Sequence, residues 1–236
     1  MKSMKTSKIT TGILVGILIV FLVVIVGFPL AWMALSSLKP GVELFTIPPK
    51  ILPQNWSIEW YVQAFSNPNV IRYFLNSLLI ASVVMVVDML LGTLTAYSLT
   101  RFNYKGRKLI LICVLAAYCV PPIMLMLPLY KIVNAFGMPE SHIGVIIAHL
   151  TVTLPFSVWL LVSFFKKLPK EINEAAVMDG ANEMQVFLKV ELPLCVSGVL
   201  STGIMAFIMS WNEFLLSSVL ISKESMKTLT VGLANY

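Results

Sequence analysis

The chain has 236 residues, of which 58% are hydrophobic and 12% are charged, and its mean hydropathy is +0.89. A soluble domain of this length cannot bury so much apolar surface, so the composition excludes a water-soluble globular protein and predicts that lipid covers the excess. The formal net charge of +6 does not indicate a nucleic-acid-binding protein, because the basic residues stand in short clusters between long uncharged stretches.

Five apolar stretches are long enough to cross a bilayer, since a helix needs roughly 20 apolar residues to span the ~30 Å hydrocarbon layer. The first follows three N-terminal lysines but is longer than the core of a signal peptide, so we expect it to remain as an anchor. The fold class predicted is an all-α, polytopic transmembrane helical bundle. Its predicted spans cover residues 9–38, 73–100, 109–130, 143–165 and 192–222. Prolines inside the third span predict a kinked or broken helix.

The basic residues set the predicted orientation. If the N-terminus, residues 1–8, is cytoplasmic, the loops on that side hold 11 of the 17 Lys and Arg residues, and 6 remain for the other side. Short cytoplasmic loops carry the Lys and Arg excess, so this orientation is preferred. It places residues 39–72, which are rich in proline, in an extracytoplasmic segment, and it places the loop 166–191 in the cytoplasm.

The loop 166–191 is predicted to form two short helices. Pro169 suits a first helical turn, and Gly180 is well placed to end that helix in a left-handed cap. In the second segment Met184, Phe187 and Leu188 fall at i, i+3 and i+4 and predict one apolar face. Spacing alone leaves open whether this hairpin rests on the membrane surface or contacts another protein.

Sequence motifs in and around this loop decide between those alternatives by resemblance. Glu174-Ala175-Ala176, then Gly180, then Leu192-Pro193 resemble the EAA motif of the permease subunits of binding-protein-dependent ATP-binding-cassette importers, in which Asp179 and Ala181 often flank the glycine. Val190 stands where that pattern usually has isoleucine. Matches elsewhere resemble the carbohydrate branch of the family, in particular the maltose permease "G" component: Ser37-Leu38-Lys39-Pro40, Asn76-Ser77, Ala96-Tyr97, Pro128-Leu129-Tyr130 and Trp211-Asn212-Glu213-Phe214.

The resemblance implies a type I importer permease fold in a bacterial plasma (inner) membrane, with a sugar or oligosaccharide as the transported solute. Members of that branch usually have six spans, so a sixth span is expected to be missing from this sequence. The loop 166–191 is then a coupling loop that docks on an ATPase. The implied partners are a second, different permease subunit, two ATPase subunits, an extracytoplasmic solute-binding protein and the lipid bilayer, with no nucleic acid.

This chain is expected to be a transport subunit with no catalytic residue and no metal or cofactor of its own. No glycine-rich phosphate loop with its Lys and Ser/Thr is present in the sequence, so ATP and Mg are expected on the partner ATPase. The three cysteines have no metal-ligand spacing, and His142 and His149 form no catalytic pair with a nearby residue. We expect His149 to be a core histidine with satisfied hydrogen bonds.

Two acidic residues, Asp88 and Glu213, lie inside predicted spans. A carboxylate near the bilayer centre costs on the order of 2.5 to 3.5 kcal/mol, so both should face protein or water. Asp88 is predicted to hydrogen-bond between helices, with the solute path as the alternative. Glu213 stays open between gating or subunit contacts and helix packing. Asn76, Trp211 and Asn212 join them as possible residues of the translocation path or of a subunit interface.

Two other functions remain as alternatives at this stage. In a gradient-driven secondary transporter, an intramembrane acid such as Asp88 would change its protonation during transport. A membrane scaffold or assembly factor that transports nothing is the other alternative. Vanadate-sensitive uptake together with copurification of an ATPase separates the importer from both alternatives.

Overall fold

The structure, a computed structural model, describes residues 2–234. These residues form helices joined by turns, with no β-strand among them, and the all-α fold class is confirmed. The chain divides into two compact units, Met1–Asn67 and Pro68–Tyr236, and each is described by itself.

The first unit begins with the long helix α1 (Lys2–Ser37). Leu14–Ser37 is long and apolar enough to cross a membrane, and none of its most apolar stretch is buried by the described chain. A proline-rich segment with two short helices follows, α2 (Gly41–Leu44) and α3 (Glu59–Ser66). The carboxylate of Glu43 holds this segment together, because it accepts the backbone N–H groups of Gln54 at 2.6 Å and of Asn55 at 3.3 Å. The first of these hydrogen bonds is the main cause that lowers the pKa of Glu43.

Three long helices form the centre of the second unit: α4 (Pro68–Arg101), α7 (His142–Phe165) and α11 (Val196–Trp211). The helix α4 packs against both of the others. Gly92 permits its close approach to α7, since a methyl group there would lie 3.1 Å from Cδ1 of Leu161. The helix α7 begins after Ser141, whose hydroxyl accepts the N–H of Gly144 at 3.1 Å.

The predicted third span is broken, as its prolines indicate. It consists of α5 (Arg107–Tyr118) and α6 (Pro122–Ala135), whose axes differ by 101°. Pro121 and Pro122 stand at the break, and neither can donate a backbone hydrogen bond to continue α5.

The predicted span 192–222 is not one continuous helix. The chain bends by 76° between Glu183–Leu194 and α11. The helix α11 then ends at Trp211, and the short helix α12 (Leu215–Leu220) begins only after three intervening residues. Here Glu213 provides the physical reason, since its carboxylate accepts the N–H groups that open α12. A 3₁₀ turn (Glu224–Met226) and α13 (Leu229–Ala234) complete the described chain.

Among residues 2–234, three helices can cross a membrane by length and composition, or up to five segments if each bent pair counts as one span. The three are Leu14–Ser37, Pro68–Arg101 and His142–Phe165, which lie on the predicted spans 9–38, 73–100 and 143–165.

The loop 166–191 contains α8 (Lys170–Met178), α9 (Glu183–Gln185) and a π-helical segment (Val186–Glu191) that continues into α10 (Leu192–Leu194). The predicted apolar face is wrong. Met184 and Leu188 are 59% and 50% exposed, whereas Phe187 is buried together with Val186 and Glu191. In a π-helix the backbone hydrogen bonds join residues i and i+5, so each turn contains more residues than a turn of α-helix. Residues that α-helical spacing would place on one face therefore lie on different faces.

Candidate functional site

The turn after α8 holds the central part of the EAA-like motif in a fixed conformation. Gly180 has φ +87°, a left-handed conformation that favours glycine, as the sequence predicts. Its N–H donates to the carbonyl of Val177 and the next N–H, of Ala181, donates to the carbonyl of Ala176, each at 3.0 Å. These two bonds form a Schellman motif, which ends the helix and satisfies its last carbonyls.

The structure brings four of the eight motif residues together around a shallow cleft of about 330 Å³ that is otherwise lined by Gln185, Lys189 and Val190. These four are Ala176, Asp179, Gly180 and Ala181. Glu174 instead borders a second cleft of about 640 Å³, whose lining includes Arg101 and Lys170. Ala175 is exposed. The last two, Leu192 and Pro193, begin α10, where Leu192 packs against the core rather than the cleft.

The second half of the loop is anchored to the helix bundle. Asn182 caps α9 through a reciprocal pair of hydrogen bonds with Gln185. Phe187 packs against Tyr97 of α4, with ring centroids 4.8 Å apart. The loop therefore combines an exposed motif surface with a buried attachment to α4.

A buried ion pair at this attachment is a feature that sequence reasoning missed. Nε of Arg101 lies 2.5 Å from Oε1 of Glu191, and the two side chains are only 6% and 1% exposed. The guanidinium of Arg101 also donates to the carbonyls of Phe165 at 3.3 Å and Leu168 at 3.4 Å. Asn173 of α8 donates to Oε1 of Glu191 at 3.2 Å. The available signal was an acid, Glu191, between the apolar residues Val190 and Leu192, where a buried carboxylate needs a basic partner.

A cavity of about 330 Å³ lies within the bundle beside the break between α11 and α12. Its lining includes His149 and Thr153 of α7, and Asn212, Glu213 and Phe214 at the break. No group of three or more His, Cys, Asp or Glu side chains in the described part of the chain is placed to hold a metal ion.

His149 is a buried histidine with satisfied hydrogen bonds, as expected. Its Nδ1 is 2.8 Å from the hydroxyl of Ser210, and its Nε2 is 3.0 Å from the hydroxyl of Ser217. The same Nε2 is 3.1 Å from Oε2 of Glu213, a pairing that the sequence did not suggest. Glu213 therefore joins α7 to the break between α11 and α12, and it also borders the cavity.

Two of the possible path or interface residues, Asp88 and Asn76, are buried within this chain. Asp88 is fully buried between α4 and α7, where Oδ2 accepts the hydroxyl of Ser157 at 3.2 Å. Asn76 is also buried, and its side-chain amide donates to the carbonyls of Ser225 at 3.1 Å and Lys227 at 2.9 Å. Both side chains hold elements of the bundle together.

Trp211 and Asn212 are placed differently from each other. The Trp211 ring packs between Phe74 and Phe207, with centroids 5.4 and 5.7 Å away, and is not among the residues that line the cavity. Asn212 is exposed and lines the cavity, although its amide donates to the carbonyl of Ile208 at 2.8 Å.

Comparison with known proteins relates this arrangement to membrane transport. Residues 88–236 match the family described as binding-protein-dependent transport system inner membrane component. The inner membrane ABC transporter permease protein YcjP of Escherichia coli (strain K12) is 39% identical over 213 residues, 89% of this chain and 76% of the relative. The diacetylchitobiose uptake system permease protein NgcG of Streptomyces coelicolor is 36% identical over 213 residues, 90% of this chain and 70% of the relative.

A solved structure shows the same fold. It is the crystal structure of a bacterial ABC transporter involved in the import of the acidic polysaccharide alginate. The similarity has a TM-score of 0.83 at 22% sequence identity, and it covers 97% of this chain and 80% of that chain.

Proposed function

The chain belongs to the family of binding-protein-dependent transport system inner membrane components, and from this membership we propose that it is the permease subunit of an ATP-driven importer for a sugar or oligosaccharide. Two observations support a carbohydrate as the solute. The motif set resembles the carbohydrate branch, and the relative NgcG is named for diacetylchitobiose uptake.

The loop 166–191 is the proposed contact with a partner ATPase, which binds ATP and Mg and hydrolyses ATP. The single observation that carries this assignment is the exposed EAA-like turn. The turn is held rigid by the Schellman motif at Gly180, and its charged and apolar side chains are free to contact a partner. Val177 and Met178 at the end of α8 are 46% and 87% exposed. These two neighbouring apolar side chains favour contact with a partner over exposure to water alone.

The remaining partners follow from the same proposal. The subunit pairs with a second, different permease subunit, so that the translocation path lies between the two, and a solute-binding protein delivers the solute from the outer side. The N-terminus and the loop 166–191 are cytoplasmic, because this orientation places the larger number of Lys and Arg residues inside. Residues 39–72 face the solute-binding protein.

Transport then proceeds by alternating access. Closure of the two ATPase subunits on ATP moves the loop 166–191, and this movement reorients α4, α7 and α11 around the path. The cavity beside Asn212 and Glu213 is the proposed part of the path in this subunit. A gradient-driven mechanism through Asp88 is less favoured, because that carboxylate has no exposed surface through which to exchange a proton with either side.

The test is capture of the ATPase by the tagged permease complex, together with vanadate-sensitive uptake of a labelled disaccharide in cells. Glu174→Lys reverses an exposed charge on α8 and is expected to reduce both capture and uptake. Glu59→Lys makes the same change on the exposed surface of α3 and is the matched control, with capture unchanged. Uptake that is abolished only by an uncoupler, without any captured ATPase, would contradict the proposal.

A further inference from the structure

The cluster of Arg101, Glu191 and Asn173 links the loop 166–191 to α4 and to the end of α7, and Arg101 and Asn173 also line the cleft that Glu174 borders. Arg101 is the last residue of α4, and its guanidinium donates to the carbonyls of Phe165, the last residue of α7, and of Leu168, three residues further along the chain. Glu191 is the last residue of the π-helical segment. Asn173 lies in the middle of α8.

We propose that this cluster, the Arg101 strut, transmits movement of the loop 166–191 to α4 and α7. The inference rests on the proposed function of the loop as the ATPase contact. Arg101, Glu191 and Asn173 are positioning residues, because they act through the helices that they join and touch neither nucleotide nor solute.

The strut is suited to this role because it resists displacement. Separating Arg101 from Glu191 would leave two buried charges without charged partners, which costs more than stretching an apolar contact by the same distance. The hydrogen bonds from Arg101 to the carbonyls of Phe165 and Leu168 and from Asn173 to Glu191 add direction to this ion pair. The neighbouring attachment through Tyr97 contains no buried charge pair, since its ring packs against Phe187 and its hydroxyl donates to the carbonyl and the carboxylate of the exposed Glu183, each at 3.3 Å.

The position of the strut decides which helices respond. Because Arg101 binds carbonyls at the end of α7 while it forms the end of α4, a shift of Glu191 pulls on both helices at once. The hydrogen bond from Asn173 couples α8, which carries Glu174, to the same carboxylate. A push on the exposed face of α8 therefore reaches both long helices through one carboxylate.

A structural role and a transmitting role predict different results for an apolar replacement. Replacing a buried ion pair by apolar residues of similar size is often neutral or stabilising, whereas removing one partner is strongly destabilising. The double variant Arg101→Met, Glu191→Leu should therefore fold, insert and capture the ATPase. It should still lack the polar link between the loop 166–191 and the helices α4 and α7. A purely structural pair predicts a normal response in the same variant.

The experiment uses the complete complex of both permease subunits and the ATPase in proteoliposomes. Cys113, Cys119 and Cys195 are replaced by alanine, and a reporter cysteine is introduced by Asn212→Cys, at an exposed position that lines the cavity. The rate of labelling by a maleimide is measured with ATP and vanadate and without nucleotide. Copurified ATPase and ATP hydrolysis are measured on the same samples.

With Arg101 and Glu191 intact, we expect nucleotide to change the labelling rate by at least about fivefold, a typical coupling between distant sites. In the Arg101→Met, Glu191→Leu variant, we expect a change of less than about twofold while the ATPase is retained and still hydrolyses ATP. Arg107→Met is the control, because Arg107 makes only local hydrogen bonds to Phe102 and Asn103, and its response should equal that of the unchanged pair.

A normal response in the double variant overturns the inference and leaves the proposed function standing. Absence of ATPase from the complex with the intact pair overturns the proposed function, and the inference with it. If the double variant does not reach the membrane, Asn173→Ala decides the matter, because it removes only the link from α8 to Glu191. A reduced response in that variant supports the strut, and an unchanged one overturns it.

Discussion

The side chain of Glu213 makes more polar contacts than the sequence suggests. Its two oxygens accept the N–H groups of Leu216 and Ser217, at 2.7 and 3.0 Å, and the hydroxyl of Ser217 at 2.8 Å. His149 lies 3.1 Å from the same carboxylate. This side chain therefore replaces the helical hydrogen bonds that are lost where α11 ends, and it stabilises a break within a predicted span.

Glu213→Gln should destabilise the protein although it preserves the shape of the side chain. An amide has only one acceptor oxygen, so its NH₂ group would face N–H or O–H donors, and leaving buried donors unsatisfied costs about 1–3 kcal/mol. We expect the apparent melting temperature of the purified permease to fall by roughly 2 to 12 °C. Glu171→Gln makes the same change at an exposed position and should have little effect. An unchanged melting temperature for Glu213→Gln would show that the network is dispensable.

For Asp88, in contrast to Glu213, we expect the change from a carboxylate to an amide to be tolerated. Asp88→Asn retains an acceptor for the hydroxyl of Ser157, so the expression level should fall no more than modestly, and the dependence of uptake on external pH should stay the same. Asp88→Leu has no acceptor and should lower the amount of folded protein more. Normal expression of Asp88→Asn together with altered pH dependence would instead favour a proton-coupled transporter.

At the residue scale, sequence reasoning predicted environments better than partners. It predicted that His149 would be buried and satisfied and that Asp88 would form a contact between helices, since polar side chains in a span must be bonded. The partner of Glu213 was not predicted, because 64 positions separate it from His149 and no periodic pattern links residues on different helices. The pairing of Arg101 with Glu191 was not predicted for the same reason.

At the element scale, prolines and glycines were the most reliable signals. Pro121 and Pro122 predicted the break between α5 and α6, and Gly180 predicted the end of α8. The face of the second loop segment was predicted wrongly because α-helical spacing was assumed where the chain forms a π-helical segment, Val186–Glu191.

Gly180→Val should disrupt the loop and leave the spans intact. A β-branched residue is strained at φ +87°, and no atom lies within 4 Å of the position where the added side chain would begin, so the backbone causes the whole effect. We expect membrane insertion to be normal and capture of the ATPase to fall, measured by pull-down from solubilised membranes.

Gly137→Val provides the matched control for this prediction. Gly137 also has positive φ, +69°, and nothing within 4 Å, but it lies in the turn between α6 and α7. The two variants therefore carry similar backbone strain at different loops. Equal loss of capture in both would mean that strain in general, rather than the conformation of the loop 166–191, weakens the contact.

At the scale of the whole molecule, hydropathy predicted the class of protein and the positions of the long helices, because lipid requires long segments whose backbone hydrogen bonds are satisfied internally. The packing of α4 against α7 and α11 could not be predicted in the same way. Helix packing depends on shape, as at Gly92 beside Leu161, and the apolar pattern of each span is compatible with many arrangements.

Orientation in the membrane is the whole-molecule property that the distribution of charge predicts, and it has a direct test. The variants Asn55→Cys and Asn103→Cys introduce cysteines at exposed positions in residues 39–72 and in the turn after α4, in a chain whose three native cysteines are replaced by alanine. If the basic loops are cytoplasmic, a membrane-impermeant maleimide should label Asn55→Cys in intact cells and should reach Asn103→Cys only after permeabilisation. The reverse pattern would invert the topology and remove the loop 166–191 from the side where ATP is available, and the proposed contact with an ATPase would then be impossible.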